Sequence, residues 1–543
     1  VPGWGIVRRR TKPRVILGTL LVAGVLAACG SSPTASSGGS GARVLLVGAF
    51  DGHTGRFTTI ASAVRAARSG DWILVAPGDY HETADEPNLP STADNGKFGA
   101  VLITKSNIHL RGMDRNTVIV DGTRAGSSAP CSAETSQQNL GPLNSNGKAE
   151  GRNGIVVWKA NDVTIDNLTT CNFLGGAGDA GNGIWWNGGD GSGRIGLHGY
   201  SGSYLTATTT YFGSEATGAQ YGIFSSNSAG PGHWNQLYAS NFNDSGMYVG
   251  ACLQACDMTI TNSWMEYNAL GYSGTNSGGS IVIEHNQFDN NEDGFDTNTQ
   301  INGDPPAPQN GACPNGGTSP ITHTHSCWVF MDNYSHDNNN PNVPRAGTAS
   351  AGPVGTGMTL SGGRNDTVMD NRFSNNGAWG ILFVPYPDSN KPSLNQSCRG
   401  TGGVENGAFG CVYDPMNDAL LHNTFTNNGY FGNPANADFG QVVVNAGQPQ
   451  NCFAGNDAPN GSAPPNLEHL QPTCGSIAKT ANTGGPLLAQ VLCDTGFATC
   501  PAGAHYPQVT GVVIHPLPKS LPTMPNPCQG VPANAWCPGG RPV

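Results

Sequence analysis

Charge is scarce in this chain. Asp, Glu, Lys and Arg make up 12% of its 543 residues, about half the share usual in soluble domains. Blocks of Ala, Glu, Lys and Leu are nearly absent, which argues against a mainly helical fold. Positive charge is scarcer still. The 26 Lys and Arg stand against 37 Asp and Glu, a net charge of −11, and that balance argues against nucleic acid as a partner. No Walker loop, Rossmann fingerprint or zinc-protease motif is present, so nothing points to the chemistry those motifs serve. The chain has instead 78 Gly, much Asn, Ser and Thr, and scattered β-branched residues. Such a composition predicts many short strands joined by tight turns. Disorder, the other reading of a Gly-rich chain, fails in the middle, where aliphatic and aromatic residues recur regularly.

Near the start, Arg8, Arg9, Arg10, Lys12 and Arg14 lead into an apolar run over 15–28 that ends at Cys29. A basic segment, a short apolar segment and small residues make an export signal, and the apolar part is too short to span a bilayer. Residues 31–41 are small and polar, like a tether. Leu26-Ala27-Ala28-Cys29-Gly30 resembles the bacterial lipoprotein lipobox. That resemblance implies a signal peptide over 1–28, cleavage before Cys29, a lipid on its thiol and a tether over 29–42. The protein is then expected on the outer face of the bacterial cytoplasmic membrane or on the cell surface. Fourteen of the fifteen cysteines remain beyond Cys29. That even number suits seven disulfides in an oxidising compartment. Pairing between sequence neighbours is a working assumption, since connectivity does not follow from sequence.

A repeat runs through the middle. Ile281-Val282-Ile283-Glu284-His285-Asn286-Gln287-Phe288-Asp289-Asn290-Asn291 is echoed by Val368-Met369-Asp370-Asn371-Arg372-Phe373-Ser374-Asn375-Asn376 and by Leu420-Leu421-His422-Asn423-Thr424-Phe425-Thr426-Asn427-Asn428. The unit is apolar-x-apolar-x-Asn-x-aromatic, then Asn and Gly, with a period on the order of 20–30 residues, in the solenoid range. Alternating apolar residues would share a core with the coil above, and recurring Asn would form a ladder of amides.

This pattern resembles the right-handed parallel β-helix of pectate-lyase-like proteins over 43–445, which implies an all-β solenoid. Thr59 to Arg68 reads as an amphipathic helix, with Ile60, Ala63, Val64 and Ala67 on one face, that would cap the coil stack. Insertions fall at about 124–152, 301–326 and 385–415, each with cysteine, and would wall a groove. Residues 446–543 lose the repeat and gain Pro and Cys, reading as a disulfide-rich tail or cap. A β-propeller is the rival fold, but its blades need longer repeats with hairpin signals.

The densest acidic cluster is Asn290-Asn291-Glu292-Asp293-Gly294-Phe295-Asp296. Phe295 would point into the core and Asp296 outward. Converging carboxylates are costly unless a cation or protons neutralise them, and hard oxygen donors favour Ca2+. The spacing is similar to the calcium-binding motif of family 9 pectate lyases, which implies Glu292, Asp293 and Asp296 as metal ligands, with Asn268 where that family has a further acid. The resemblance continues at Gly355 to Gly363, but Thr359 stands where those lyases carry the base lysine. A threonine cannot remove the C5 proton of a uronate. Arg364, Arg345 and His336 are the sequence neighbours able to substitute. A hydrolase with a paired acid and base from the same carboxylates is the second enzymatic reading. A solvated acidic turn is the plain one.

Trp185 and Trp186 must face opposite ways if they share a strand. With Tyr200 they are candidate platforms for sugar rings, and core packing is the alternative. His323 and His325 beside Cys327 read as an exposed disulfide loop before a metal site. The functional expectation is a surface lipoprotein that binds, and as an enzyme cleaves, an extracellular or cell-wall polysaccharide. Asp293, Asp296 and Arg364 are its candidate catalytic groups. Trp185, Trp186, Tyr200, His336 and Arg345 are its candidate substrate contacts. A non-catalytic carbohydrate-binding or structural protein is the alternative.

Overall fold

The computed structural model describes residues 42–83, 99–189, 196–250, 256–275, 277–298, 328–388, 403–406, 410–444, 451–470, 474 and 486–540. The export segment with Cys29, the histidines 323 and 325, and Cys313, Cys327 and Cys398 lie outside them.

The described chain is a right-handed parallel β-helix. Successive coils add one strand each to an 11-stranded front sheet, and the return strands form a 20-stranded back sheet. Register is set by hydrophobic rows. Ile155, Ile184, Ile223, Met247, Tyr272 and Phe295 lie opposite one another down the front sheet, and all are fully buried. Met258, Ile281, Trp328 and Asp366 align down the back sheet. The long insertions are therefore excursions between coils, and the parallel pairing resumes after each.

Two corners are held by amide ladders. One runs through Asn286, Asn333, Asn371, Asn423 and Asn456. The other runs through Asn268, Asn291, Asn338, Asn376 and Asn428. At each rung the backbone N–H and Nδ2 both donate to Oδ1 of the next Asn, as from Asn371 to Asn423, both at 2.9 Å. The second Nδ2 proton reaches a strand carbonyl, here Phe330 at 2.9 Å. The residue before each rung turns left-handed, as at His285, Asn290, Asp332, Asn375 and Asn427. Asn tolerates that conformation and also makes the rung, so Asn-Asn pairs mark these corners.

The helix is Ile60–Ala66, capped by the Thr59 hydroxyl, and it buries Ile60, Ala63 and Val64 over the first coils. It ends before Arg68 because Ala67 is already extended. The coils also outrun the expected boundary at 445. Cys452–Ala454 pairs in parallel with Ala419–Leu421, and Ser462–Ala463 with Phe439–Gly440. Strands of three and two residues are too short to show periodicity. The described disulfides join sequence neighbours: Cys131–Cys171, Cys452–Cys474, Cys493–Cys500 and Cys528–Cys537. No described helix is long and apolar enough to cross a membrane.

The tail is a strap rather than a separate unit. From His505 it runs down the coil stack toward the first coils. It bonds Asn433, Asn342, Asn241, Asn116 and Asn167 in turn and ends with Trp536 donating to the His53 carbonyl.

Candidate functional site

The acidic strand Asp293–Asn298 lies in the front sheet between Leu270–Ser273 and Thr356–Ser361. Gly294 makes its shape possible. A Cβ there would stand 2.4 Å from the Gly357 carbonyl oxygen and 2.6 Å from Ser335 Oγ, so only glycine fits the bend between Asp293 and Phe295. Phe295 then enters the core, stacked on Tyr272 at 4.3 Å. Asp296 re-emerges outward, partly exposed.

The carboxylates turn to different partners. Asp293 is fully buried. It accepts from Thr359 Oγ1 at 2.6 Å and from the Phe295 N–H at 3.2 Å. Asp296 accepts from Ser361 Oγ at 2.7 Å. Glu292 is fully buried and pairs with Arg345 at 2.8 Å. Asp244, one residue before the strand Ser245–Gly250, joins the group. It is partly exposed, is hydrogen-bonded by Ser245 and the Tyr221 hydroxyl, and feels the charge of Asp296. Asp494, the last residue of the helix Pro486–Asp494, adds its charge to those acting on Glu292.

Burial dominates the protonation of this group. It holds Asp293 well above the usual carboxylate range, with the Asp296 charge adding to it and the Thr359 and Phe295 bonds opposing. Burial likewise raises Glu292, against the pull of Arg345. Asp296 is pushed up by burial to about 6, with Ser361 and Asn298 opposing. Asp244 is pushed up by burial to about 7 despite its bonds to Ser245 and Tyr221. Two partly exposed carboxyls on one face thus straddle neutrality, which is the condition for a general acid and a general base to coexist.

Several expected roles change. Trp185 and Trp186 do face opposite ways. Trp186 and Tyr200 pack in the core with Trp234, so neither reaches a ligand. Trp185 is also buried. It stacks on Phe224 at 5.2 Å, and Phe224 on Tyr248 at 4.7 Å. In such a row the ring faces meet one another and are not free for sugars. Arg364 is buried beyond the far end of its strand, where Asp418, Tyr413 and Asp414 act on it, so it does not face the acidic strand. His336 belongs to the back sheet, stacked on Tyr334 at 3.9 Å and bonded to Asp337 at 2.6 Å. Arg345 does reach the cluster, as the partner of Glu292. Asn268 is a ladder rung bonded to Asn291.

A calcium cage needs several of these oxygens on one ion at about 2.3–2.6 Å. With Glu292 on Arg345, Asp293 on Thr359 and Asp296 on Ser361, the set does not fit one. Neither Asp244 nor Asp494 is joined to this cluster by the sequence alone. The first meets Asp296 only through coil stacking, and the second arrives from the tail.

No protein-family model matches the chain, and no curated protein matches it. Among solved structures it is similar to the A-module of a mannuronan C-5 epimerase of Azotobacter vinelandii, at TM-score 0.42 and 12% identity over 74% of this chain and 91% of that one. A family 28 exopolygalacturonase of Yersinia enterocolitica gives TM-score 0.41 and 11% identity over 77% and 75%. An alginate lyase from Paenibacillus gives 0.34 and 12% over 78% and 96%. At these values the likeness says nothing of a reaction.

Proposed function

We propose that the front face binds a polysaccharide and hydrolyses it by acid–base catalysis, with Asp244 as general acid and Asp296 as general base. The observation that carries this reading is the pair itself. Both residues keep some surface in solvent, and burial of their carboxyls has raised them to about 7 and about 6. A group fully enclosed, like Asp293, cannot hand a proton to a glycosidic oxygen. Its place is to hold its own proton behind Asp296 and limit the local charge.

The test is release of reducing ends from a panel of neutral and uronic-acid polysaccharides. Asp296→Asn and Asp244→Asn should each lower kcat/KM by about 10²–10⁴-fold, and the wild-type rate should peak between pH 6 and 7. A second reading, a non-catalytic carbohydrate binder, draws on the internal bonds already made by Asp296 and Asp244. Polysaccharide binding that survives both substitutions, with no turnover in any form, would select it. Unsaturated products instead of reducing ends would mean elimination, and then a base other than Thr359.

We also propose export and lipid anchorage through Cys29. The lipobox-like segment and the disulfides support it. Cys29→Ser should move the protein from the membrane fraction to the soluble fraction. An unchanged distribution would exclude the anchor.

A further inference from the structure

Far from the acidic strand, the first two complete coils bring a histidine between two aspartates. Gly78–Tyr80 pairs in parallel with Val118–Asp121, Tyr80 opposite Val120. His81 follows Tyr80, and Asp121 follows Val120. Asp79 and His81 are two residues apart and so share one face of the strand. Ligand atoms of Asp79, His81 and Asp121 all lie within 4.8 Å of one another.

The hydrogen bonds define what the imidazole offers. His81 Nδ1 stands 3.1 Å from the Thr123 carbonyl oxygen. A carbonyl only accepts, so Nδ1 carries the proton and a neutral ring turns a lone pair outward at Nε2. That Nε2 faces Asp79 Oδ2 at 3.1 Å. Two acceptors at that distance do not bond each other. Either the ring is an imidazolium, or Asp79 holds a proton, or the ring takes its other tautomer with the Thr123 hydroxyl, 3.4 Å from Nδ1, donating to it, or a cation lies between them. Asp121 is fully buried and fixed by the N–H groups of Thr123 at 2.7 Å and Cys131 at 2.6 Å.

We propose that Asp79, His81 and Asp121 form a binding site for a first-row transition-metal dication such as Zn2+ or Mn2+. One imidazole nitrogen and two carboxylates are a donor set for such an ion, and the imidazole disfavours Ca2+ and Mg2+. The Nε2–Oδ2 separation also suits it. Two ligands at right angles on bonds of about 2.1 Å stand about 3.0 Å apart. The bond from Nδ1 to a backbone carbonyl is the outer contact that metal-binding histidines use to fix their tautomer. Asp79 lies at the surface and leaves a way in from solvent. One positive group acts nearby, the buried Arg152, whose charge couples to Asp121. With a neutral ring the site carries about −1 before the ion arrives. The ion would clasp the first coils together beside the Cys131–Cys171 disulfide. The site is independent of the catalytic reading of the front face.

The test uses the whole exported chain without a histidine tag, stripped with chelator. Zn2+ and Mn2+ are titrated separately, with Ca2+ as control, and followed by calorimetry, elemental analysis and thermal unfolding. The expected result is one equivalent bound, a higher melting temperature that chelator reverses, and Kd at least tenfold weaker in Asp79→Asn. That residue is exposed, so the variant should fold. His81→Gln should lose binding while keeping the circular dichroism of the wild type. The proposal is overturned if the wild type binds neither ion, or if both variants bind as the wild type does. It is equally overturned if the variants lower the melting temperature by the same amount with and without metal, because the contact is then a plain ion pair.

Discussion

A chain ending at Gly503, without the strap, should lose about 5 kcal/mol of stability or more. It should also lose amide protection in the first coils, Trp72–Val75 and His109–Gly112, before any other part. The reason is what the strap covers. Trp72, Leu74, Ala76 and Met113 form an apolar cluster with Val531, Trp536 and Cys537. They lie on the outward side of the back sheet, so without the strap they face water. Two arginines depend on it as well. Arg115 is 1% exposed and donates to the Pro522 carbonyl at 3.1 Å. Arg111 donates to the carbonyls of Pro527 and Gln529 at 3.2 and 2.7 Å. Taking away these acceptors leaves Arg111 with Asp166 and Arg115 with Thr206 and the Leu205 carbonyl, but their Nη1 groups lose the acceptors that the strap supplies, at a cost added to that of the bared apolar cluster. The measurement is a denaturant midpoint with hydrogen exchange on both chains. Equal midpoints and unchanged protection in Trp72–Val75 would show that the strap only decorates the coils. The milder Asn241→Ala, which removes the two bonds to His515, should leave the first coils protected.

The coils themselves were legible in the sequence because each repeats the same local demands. A left-handed residue, an Asn rung and an inward aromatic recur at fixed offsets, as in His285-Asn286-Gln287-Phe288 and His422-Asn423-Thr424-Phe425. The inward Phe295 and outward Asp296 followed from strand alternation. What escaped depends on which coil meets which. Trp185 carries the pattern of a surface residue, yet Phe224 and Tyr248 lie beside it and complete a buried stack. Arg364 directly follows the segment Gly355 to Gly363 in sequence but sits three residues past the end of Thr356–Ser361, beside Asp418. The strap has no periodicity at all. Its successive Asn partners lie 72 to 405 residues away, and no pattern within the tail encodes them. The disulfide pairing was assumed rather than read from the sequence, and each described bridge does join neighbouring cysteines and close a local loop.

Asp366→Asn should stabilise the protein, and the gain should grow with pH. A third corner stack runs Asp366, Asp418, Asn451, each backbone N–H donating to the next Oδ1 at 2.9 Å. It copies the amide ladders with one difference, because an aspartate has no Nδ2 to donate. Asp366 is fully buried, and among the described residues the one donor acting on its carboxyl is the Arg364 backbone N–H. Asp418 is 1% exposed, with the backbone N–H groups of Asp366 and Met416 acting on its carboxyl. Arg364, itself acted on by Asp418, Tyr413 and Asp414, pulls Asp418 only partly back. Burial therefore pushes Asp418 up to about 8, and burial with the Asp418 charge holds Asp366 well above the carboxylate range. The two titrate as a pair. In the unfolded chain both ionise near pH 4. The native state thus binds protons that the unfolded state has released. Its stability from this pair is complete below about pH 4 and falls by about 1.4 kcal/mol per pH unit for each retained proton, until the folded pair ionises near and above pH 8. An amide at 366 restores the missing donor to Asp418 Oδ1 and removes one of the two acids. Asp366→Asn should match the wild type near pH 4 and pull ahead by up to about 1.4 kcal/mol per pH unit, about 5 kcal/mol by pH 8, read from denaturant midpoints across that range. Parallel curves for the two proteins from pH 5 to 9 would mean that the corner holds no extra proton. A variant less stable at every pH would mean that the carboxyl, not the amide, is what this rung requires.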